Sequence, residues 1–251
     1  MHSRYWIAIA LALITTTASG QSAREHINLG DRRHAALDAA GALGHYERAI
    51  AADATSYEAA WKASRSAMDI GSAPSAGNRG TLFATAERYA RKAVALDQSD
   101  AEGHFALARA LGKNALTQSP RGRVKYGTEV RAQALECLRR NPRHAGCMHV
   151  MGVWNAEVMK LNGFTKMIAK NLLGGRVLGS ASWKEAVRYM EEAVAIDPQR
   201  IIHWLDIGEI YNSVGEPEKA RSAFETVVRL PVSDVNDSHC KEQARQMLSI
   251  R

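Results

Sequence analysis

Read from its apolar positions, the chain is a succession of paired amphipathic helices. The clearest pair lies near the end. Trp204, Ile207, Gly208 and Tyr211 are followed by Ala220, Phe224 and Val227; counting Ile201 as 1, they occupy positions 4, 7, 8, 11, 20, 24 and 27. Each group recurs at helical spacing, which places it on one face of a helix. The same second-helix triplet returns upstream as Ala42/Tyr46/Ala49, Ala86/Ala90/Ala93, Val130/Ala134/Cys137 and Ala186/Met190/Ala193. Six prolines and few β-branched runs leave little room for a sheet.

A 34-residue helix–turn–helix unit with this register is the tetratricopeptide repeat (TPR). The expected fold is therefore all-α, a TPR-like solenoid of about four to five antiparallel helix pairs. Each pair hides its apolar face only against its neighbours, so residues 24–250 are expected to form one continuous unit. Ala54, Gln98, Pro142 and Pro198 fill the same slot, each preceded by Asp or Asn that ends one helix and braces the next turn. The slots lie 44, 44 and 56 residues apart, exceeding 34 by 10, 10 and 22. That excess predicts insertions between the two helices of a pair. The first contains Gly71 to Asn78, the second Ser119 to Gly122, both with loop chemistry, and the third spans about 161–182. Asp237 to about residue 250 reads as a closing helix, capped by Asp237 or Ser238.

The first twenty residues follow a different pattern. A short polar start with His2 and Arg4 precedes an apolar run from Tyr5 to Ile14, then small polar residues with Ala18-Ser19-Gly20 as a cleavage site. This predicts a signal peptide over 1–20 and an exported, periplasmic or secreted, protein. The run is well short of the roughly 20 apolar residues that span a bilayer.

Charge then narrows the partners. The formal net charge is +7, falling to +6 without Arg4, and the basic residues are scattered rather than interleaved with aromatics. They do not form a nucleic-acid footprint. Among the three cysteines, Cys137 and Cys147 fall on consecutive helices and could meet. All three also suit small buried positions as free thiols, which is the simpler expectation. No Cys-x-x-Cys or His-Glu-x-x-His spacing predicts a metal, no cofactor motif occurs, and the nine histidines show no catalytic spacing. A binding protein is expected rather than an enzyme.

The stretch from His149 through Gly152 to Trp154 leads by way of Phe164, Ile168 and Gly174 into Ser182, Trp183 and Ala186. It resembles the TPR domain of the regulator of microtubule dynamics family, long insertion included. Trp61 to Ala67, Ala101 to His104, and Leu230-Pro231 with Lys241 and Ala244 are similar as well, so the likeness covers essentially the whole chain after residue 20. The resemblance implies association with microtubules, with contacts between endoplasmic reticulum and mitochondria, and with lipid. An exported chain meets no microtubules, so that part carries over least.

The inner face of such a stack is lined by first helices. Position 5 supplies Trp61, Phe105 and His149, and position 9 supplies Arg65, Arg109 and Val153. Large apolar groups beside two arginines suit a peptide or protein segment with a carboxylate, because the guanidinium fork donates two parallel hydrogen bonds. A phospholipid is the alternative, with its tail on the apolar residues and its head on the arginines. Trp61 and Phe105 could equally pack between helices, and Trp154, Trp183 and Trp204 read as core. In the third insertion Phe164, Met167, Ile168 and Leu172 form one apolar face beside Lys166 and Lys170, which could be a lid over the groove, a basic amphipathic element that meets a membrane surface, or an insertion that simply packs on its own scaffold.

Overall fold

The computed structural model describes residues 21–116, 118–161 and 175–249. The signal segment over 1–20 and the lid face of Phe164, Met167, Ile168 and Leu172 lie outside the described residues. Helix α1 covers residues 21–35. It is followed by α2 (Ala39–Ala52), α3 (Tyr57–Ser72), α4 (Arg79–Leu96), α5 (Ala101–Leu116) and α6 (Pro120–Arg140). Then come α7 (Ala145–Lys160), the short α8 (Gly175–Leu178), α9 (Trp183–Ile196), α10 (Ile201–Ser213), α11 (Pro217–Arg229) and α12 (Asp237–Ser249). No strand occurs among the described residues.

The pairs are α1/α2, α3/α4, α5/α6, α7/α9 and α10/α11, with α12 packed on the last pair. First helices also touch first helices, α3 on α5, α5 on α7 and α7 on α10. The chain is a TPR-like α-solenoid, with a layer of first helices facing one way and second helices behind it.

The register explains the packing. Every residue at second-helix positions 20, 24 and 27 is buried, from Ala42, Tyr46 and Ala49 to Ala220, Phe224 and Val227. Position 8 of the first helix complements position 24. Where position 24 is large (Tyr46, Met190, Phe224), position 8 is Gly30, Gly152 or Gly208, and a Cβ there would fall 2.4–2.5 Å from the ring or thioether. Where position 24 is Ala90 or Ala134, position 8 is Ser64 or Ala108. Packing density in the interior allows one bulky group per crossing and no more.

The turns follow the expected chemistry. Asp53, Asp97 and Asn141 cap the ends of α2, α4 and α6. Each side-chain oxygen accepts from the backbone N–H two residues on, at Thr55, Ser99 and Arg143. The last pair has no insertion, and its short turn passes through Gly215 at φ +80°, a backbone state that glycine adopts without a Cβ penalty. Across the second and third pairs, the Tyr57 hydroxyl donates to Asp100 at 2.8 Å and accepts from the Gly103 N–H at 2.8 Å.

Three expectations require correction. The first two insertions are absorbed mostly as extra helix. The pairs that carry them have helices of 16, 18, 16 and 21 residues, against 13 and 13 in the last pair. Gly71 and Ser72 belong to α3, and Gly71 is small because a Cβ would lie 2.7 Å from the Phe83 ring on α4. Ser119 is the N-cap of α6, with Pro120 in the first turn, where its missing N–H loses no bond. Second, Cys137 and Cys147 are joined by a disulfide with Cα atoms 6.4 Å apart, pinning α6 to α7; only Cys240 is a free, buried thiol. Their sequence positions permitted the bond, but the close approach of two helix ends decides it. Third, Asp237 does not cap forward: its carboxylate turns back to accept from the Ser233 and Asp234 N–H groups. Of the tryptophans, Trp154 is buried and donates to the Gly127 carbonyl, while Trp183 and Trp204 are half-buried against the last pair's core.

Candidate interaction face

The first-helix layer brings together most of the residues singled out by position. Trp61 is half-buried and packs against the core cluster that runs from Ala90 on α4 through α5 and α6 to Trp154 on α7, with the Arg65 guanidinium 5.3 Å from its ring centre. On the next first helix the motif repeats: Arg109 lies 5.4 Å from the Phe105 ring. Both are i, i+4 pairs on a helix, which sets arginine over arene by spacing alone. The Phe105 ring fills the space beside Gly146 and stacks on His144 at 4.7 Å, so it bridges α5 and α7.

The other two candidates are tied to the last pair. The His149 Nε2 meets Asp206 at 2.6 Å, and its ring stacks on His203 at 4.9 Å. His203 is 3% exposed; burial, then the charge of neighbouring His149, holds its pKa down to about 2. Val153 packs partly buried against the same core. The column is thus two arginine–aromatic pairs followed by a histidine–carboxylate contact and an apolar residue.

Beneath the arginines lies a charge cluster that periodicity did not single out. Asp69, 2% exposed, receives Arg109 at 3.4 Å. Burial pushes the Asp69 carboxyl above its ordinary range, with Arg109 opposing. Arg200, just before α10, meets Asp234 at 2.7 Å. Burial alone would raise Asp234, but Arg200, a backbone N–H and Arg109 outweigh it and hold this carboxyl below the usual range. His34 on α1 lies in the fields of Arg65 and Asp234, and its pKa is lowered, first by burial. Lys62 is engaged elsewhere, with Asp31 at 2.7 Å and Glu58 at 2.6 Å. Asp69 was discoverable, since it lies four residues past Arg65 on the same helix face. Asp234 sits in an interhelical segment and carries no periodic signal.

Cys137, His144 and Cys147 place three donor atoms within 4.8 Å of one another. Both sulfurs are committed to the disulfide, so this set is a covalent pin and not a thiolate site.

The family's sequence profile, described as regulator of microtubule dynamics protein 1-3, matches residues 27–250, from within α1 to the end of α12. The chain belongs to the regulator of microtubule dynamics family. Regulator of microtubule dynamics protein 1 of Mus musculus is 22% identical over 195 residues, covering 76% of this chain and 63% of that protein. The Bos taurus protein of the same name is 22% identical over 194 residues, covering 76% and 61%. The chain spans less than two thirds of the length of these family members. Among solved structures, a thermophilic TPR protein of Thermus thermophilus superposes with a TM-score of 0.66 at 18% identity, covering 90% of this chain and 98% of that one. PilF of Pseudomonas aeruginosa gives 0.55 at 13% identity, covering 92% and 89%. At these identities the structures share the fold, and family membership rests on the sequence match.

Proposed function

We propose that this family member is a non-catalytic scaffold whose first-helix face binds a peptide or protein segment. The observation that carries the reading is the repeated arginine–aromatic pair, Trp61/Arg65 and Phe105/Arg109, on adjacent first helices. An arene flanked by a guanidinium offers apolar area and a directional anion donor at each step, which suits an extended chain with alternating side chains. His149 and Val153 continue the column.

Export through residues 1–20 accompanies this proposal, and the Cys137–Cys147 disulfide supports it, because such bonds persist in oxidising compartments. The intact mass of the mature protein would check it: a full-length mass refutes cleavage near residue 20.

The binding face is tested by cross-linking the purified protein in an envelope extract and identifying the attached peptides by mass spectrometry. The double variant Arg65→Gln/Arg109→Gln, with helix content verified by circular dichroism, should lose most partner cross-links from the first-helix face. An unchanged set would overturn the reading.

A further inference from the structure

The first-helix face already has an occupant, and it is the chain itself. The segment between α11 and α12, residues 230–236, turns back over the layer, and the Asn236 side-chain amide donates to the Asp69 carbonyl at 3.1 Å, 167 residues away. Two residues earlier Asp234, 8% exposed, delivers its carboxylate to Arg200 at 2.7 Å, within the field of Arg109. The segment is shaped locally by Asp237, whose Oδ2 accepts from the Ser233 N–H at 2.8 Å, the Ser233 hydroxyl at 3.2 Å and the Asp234 N–H at 2.7 Å. Its hold on α3 and Arg200 therefore rests on two side chains, Asn236 and Asp234.

The place it covers is not fully satisfied. Arg65 forms no ion pair among the described residues. One of its terminal nitrogens donates to the Tyr46 hydroxyl at 3.2 Å, and its Nε is buried without a partner. Asp31 lies in its field but is engaged by Lys62 and Tyr46. Asp69 Oδ2 is likewise buried without a partner. One donor thus lacks an acceptor and one acceptor lacks a donor, on neighbouring turns of α3. A phosphate or a lipid headgroup phosphate supplies acceptors only. A polypeptide supplies both, a main-chain N–H for Asp69 and a carboxylate for the arginines. Three guanidinium groups, Arg65, Arg109 and Arg200, face the carboxyls of Asp69 and Asp234, so a ligand carboxylate that takes the place of Asp234 keeps the arginines compensated.

We propose that residues 230–236 are a displaceable internal occupant, and that the face they cover takes an extended acidic peptide segment of a partner. The ligand's carboxylates replace Asp234 at Arg200, within the field of Arg109, and reach Arg65. This rests on the peptide-face reading above and specifies its ligand chemistry and its competitor.

The test uses the whole protein and a fluorescein-labelled peptide carrying this chain's own residues 229–237, with a second peptide in which the residue equivalent to Asp234 is asparagine. The unlatched variant Asp234→Ala/Asn236→Ala should bind the aspartate peptide at least tenfold tighter than wild type does, because its internal competitor has been weakened. It should prefer the aspartate peptide over the asparagine peptide at least fivefold, and adding Arg200→Ala should remove that preference. No gain in the unlatched variant, with its helix content intact, overturns the displaceable occupant. Equal gains for the two peptides overturn the carboxylate specificity while leaving a peptide face. In wild type, saturating aspartate peptide should speed hydrogen exchange at the Ser233 and Asp234 amides; unchanged exchange overturns displacement even where a variant folds poorly. Inorganic phosphate at matched ionic strength, or anionic phospholipid vesicles, should displace the labelled peptide far less readily than unlabelled aspartate peptide does. Displacement at equal concentration would reassign the site to a simple anion. If partner cross-links to the face form but the aspartate peptide gains nothing, this inference falls alone; if neither occurs, the peptide-face reading falls too.

Discussion

Gly208 and Phe224 interlock at the crossing of α10 and α11: a Cβ on Gly208 would stand 2.5 Å from the Phe224 Cε1 and 2.8 Å from its Cδ1. The same complementarity joins Gly30 to Tyr46 and Gly152 to Met190, so each glycine is the socket for the bulky residue sixteen to thirty-eight positions later. Gly208→Ala should therefore destabilise the protein by about 1–3 kcal/mol through overpacking. Phe224→Leu in the same chain should recover part of that loss, and urea melts of the two single variants and the double variant measure the coupling. Additive effects would refute the socket.

His203 should make stability depend on acidity. The folded protein keeps it neutral down to about pH 2, whereas the unfolded chain takes up its proton near 6.5. Below 6.5 the unfolded state binds more protons, so stability falls as pH falls and is flat above that value. The slope from this group is about 1.4 kcal/mol per pH unit, or about 2 kcal/mol between pH 6.5 and 5. His203→Gln should flatten that part of the profile in chemical denaturation at several pH values. A variant as acid-sensitive as wild type would show that the proton is taken up elsewhere, with His34, also lowered by burial, the next group to examine.

Arg109 compensates a carboxyl that burial already disfavours. Replacing it with leucine removes the cation that opposes that shift, so Arg109→Leu should be clearly destabilising wherever the Asp69 carboxyl is ionised. The Asp69 carboxyl is shifted upward, so the folded state binds its proton more tightly than the unfolded chain does. Lowering the pH through that window should therefore reduce the penalty of Arg109→Leu. A cost that does not shrink as the pH falls would mean that Asp69 is not the group concerned.

The disulfide should be worth about 3 kcal/mol, the loop-closure value for a bond between residues 10 apart. Cys137→Ser/Cys147→Ser should show that loss in urea melts, and reduction of the wild type should match it. Cys240, buried with its thiol pushed up to about 12 by desolvation, should stay unreactive toward Ellman's reagent until the protein unfolds. Rapid labelling of native protein would contradict its burial.

Apolar periodicity alone was enough for the helix pairs and their register, because each repeat depends on short-range spacing: one face per helix, an Asp or Asn brace at each turn. The family likeness rested on local motifs such as His149 to Trp154 and on the long third insertion. The arginine–aromatic pairs were legible for the same reason, being four residues apart on a single helix. The fate of the extra residues was not. A glycine such as Gly71 has the same local chemistry in a loop as in a tight helix crossing, and the Phe83 ring on another helix decides between them. The Cys137–Cys147 bond likewise waited on two helix ends approaching each other. Most of all, the approach of Arg200 and Asp234 to Asp69 and Arg109 was invisible, since Asn236 meets Asp69 across 167 residues and no periodic pattern links the two segments. Local spacing determines which faces a solenoid buries; only the curvature of the folded stack determines which distant segment lies across the face it leaves open.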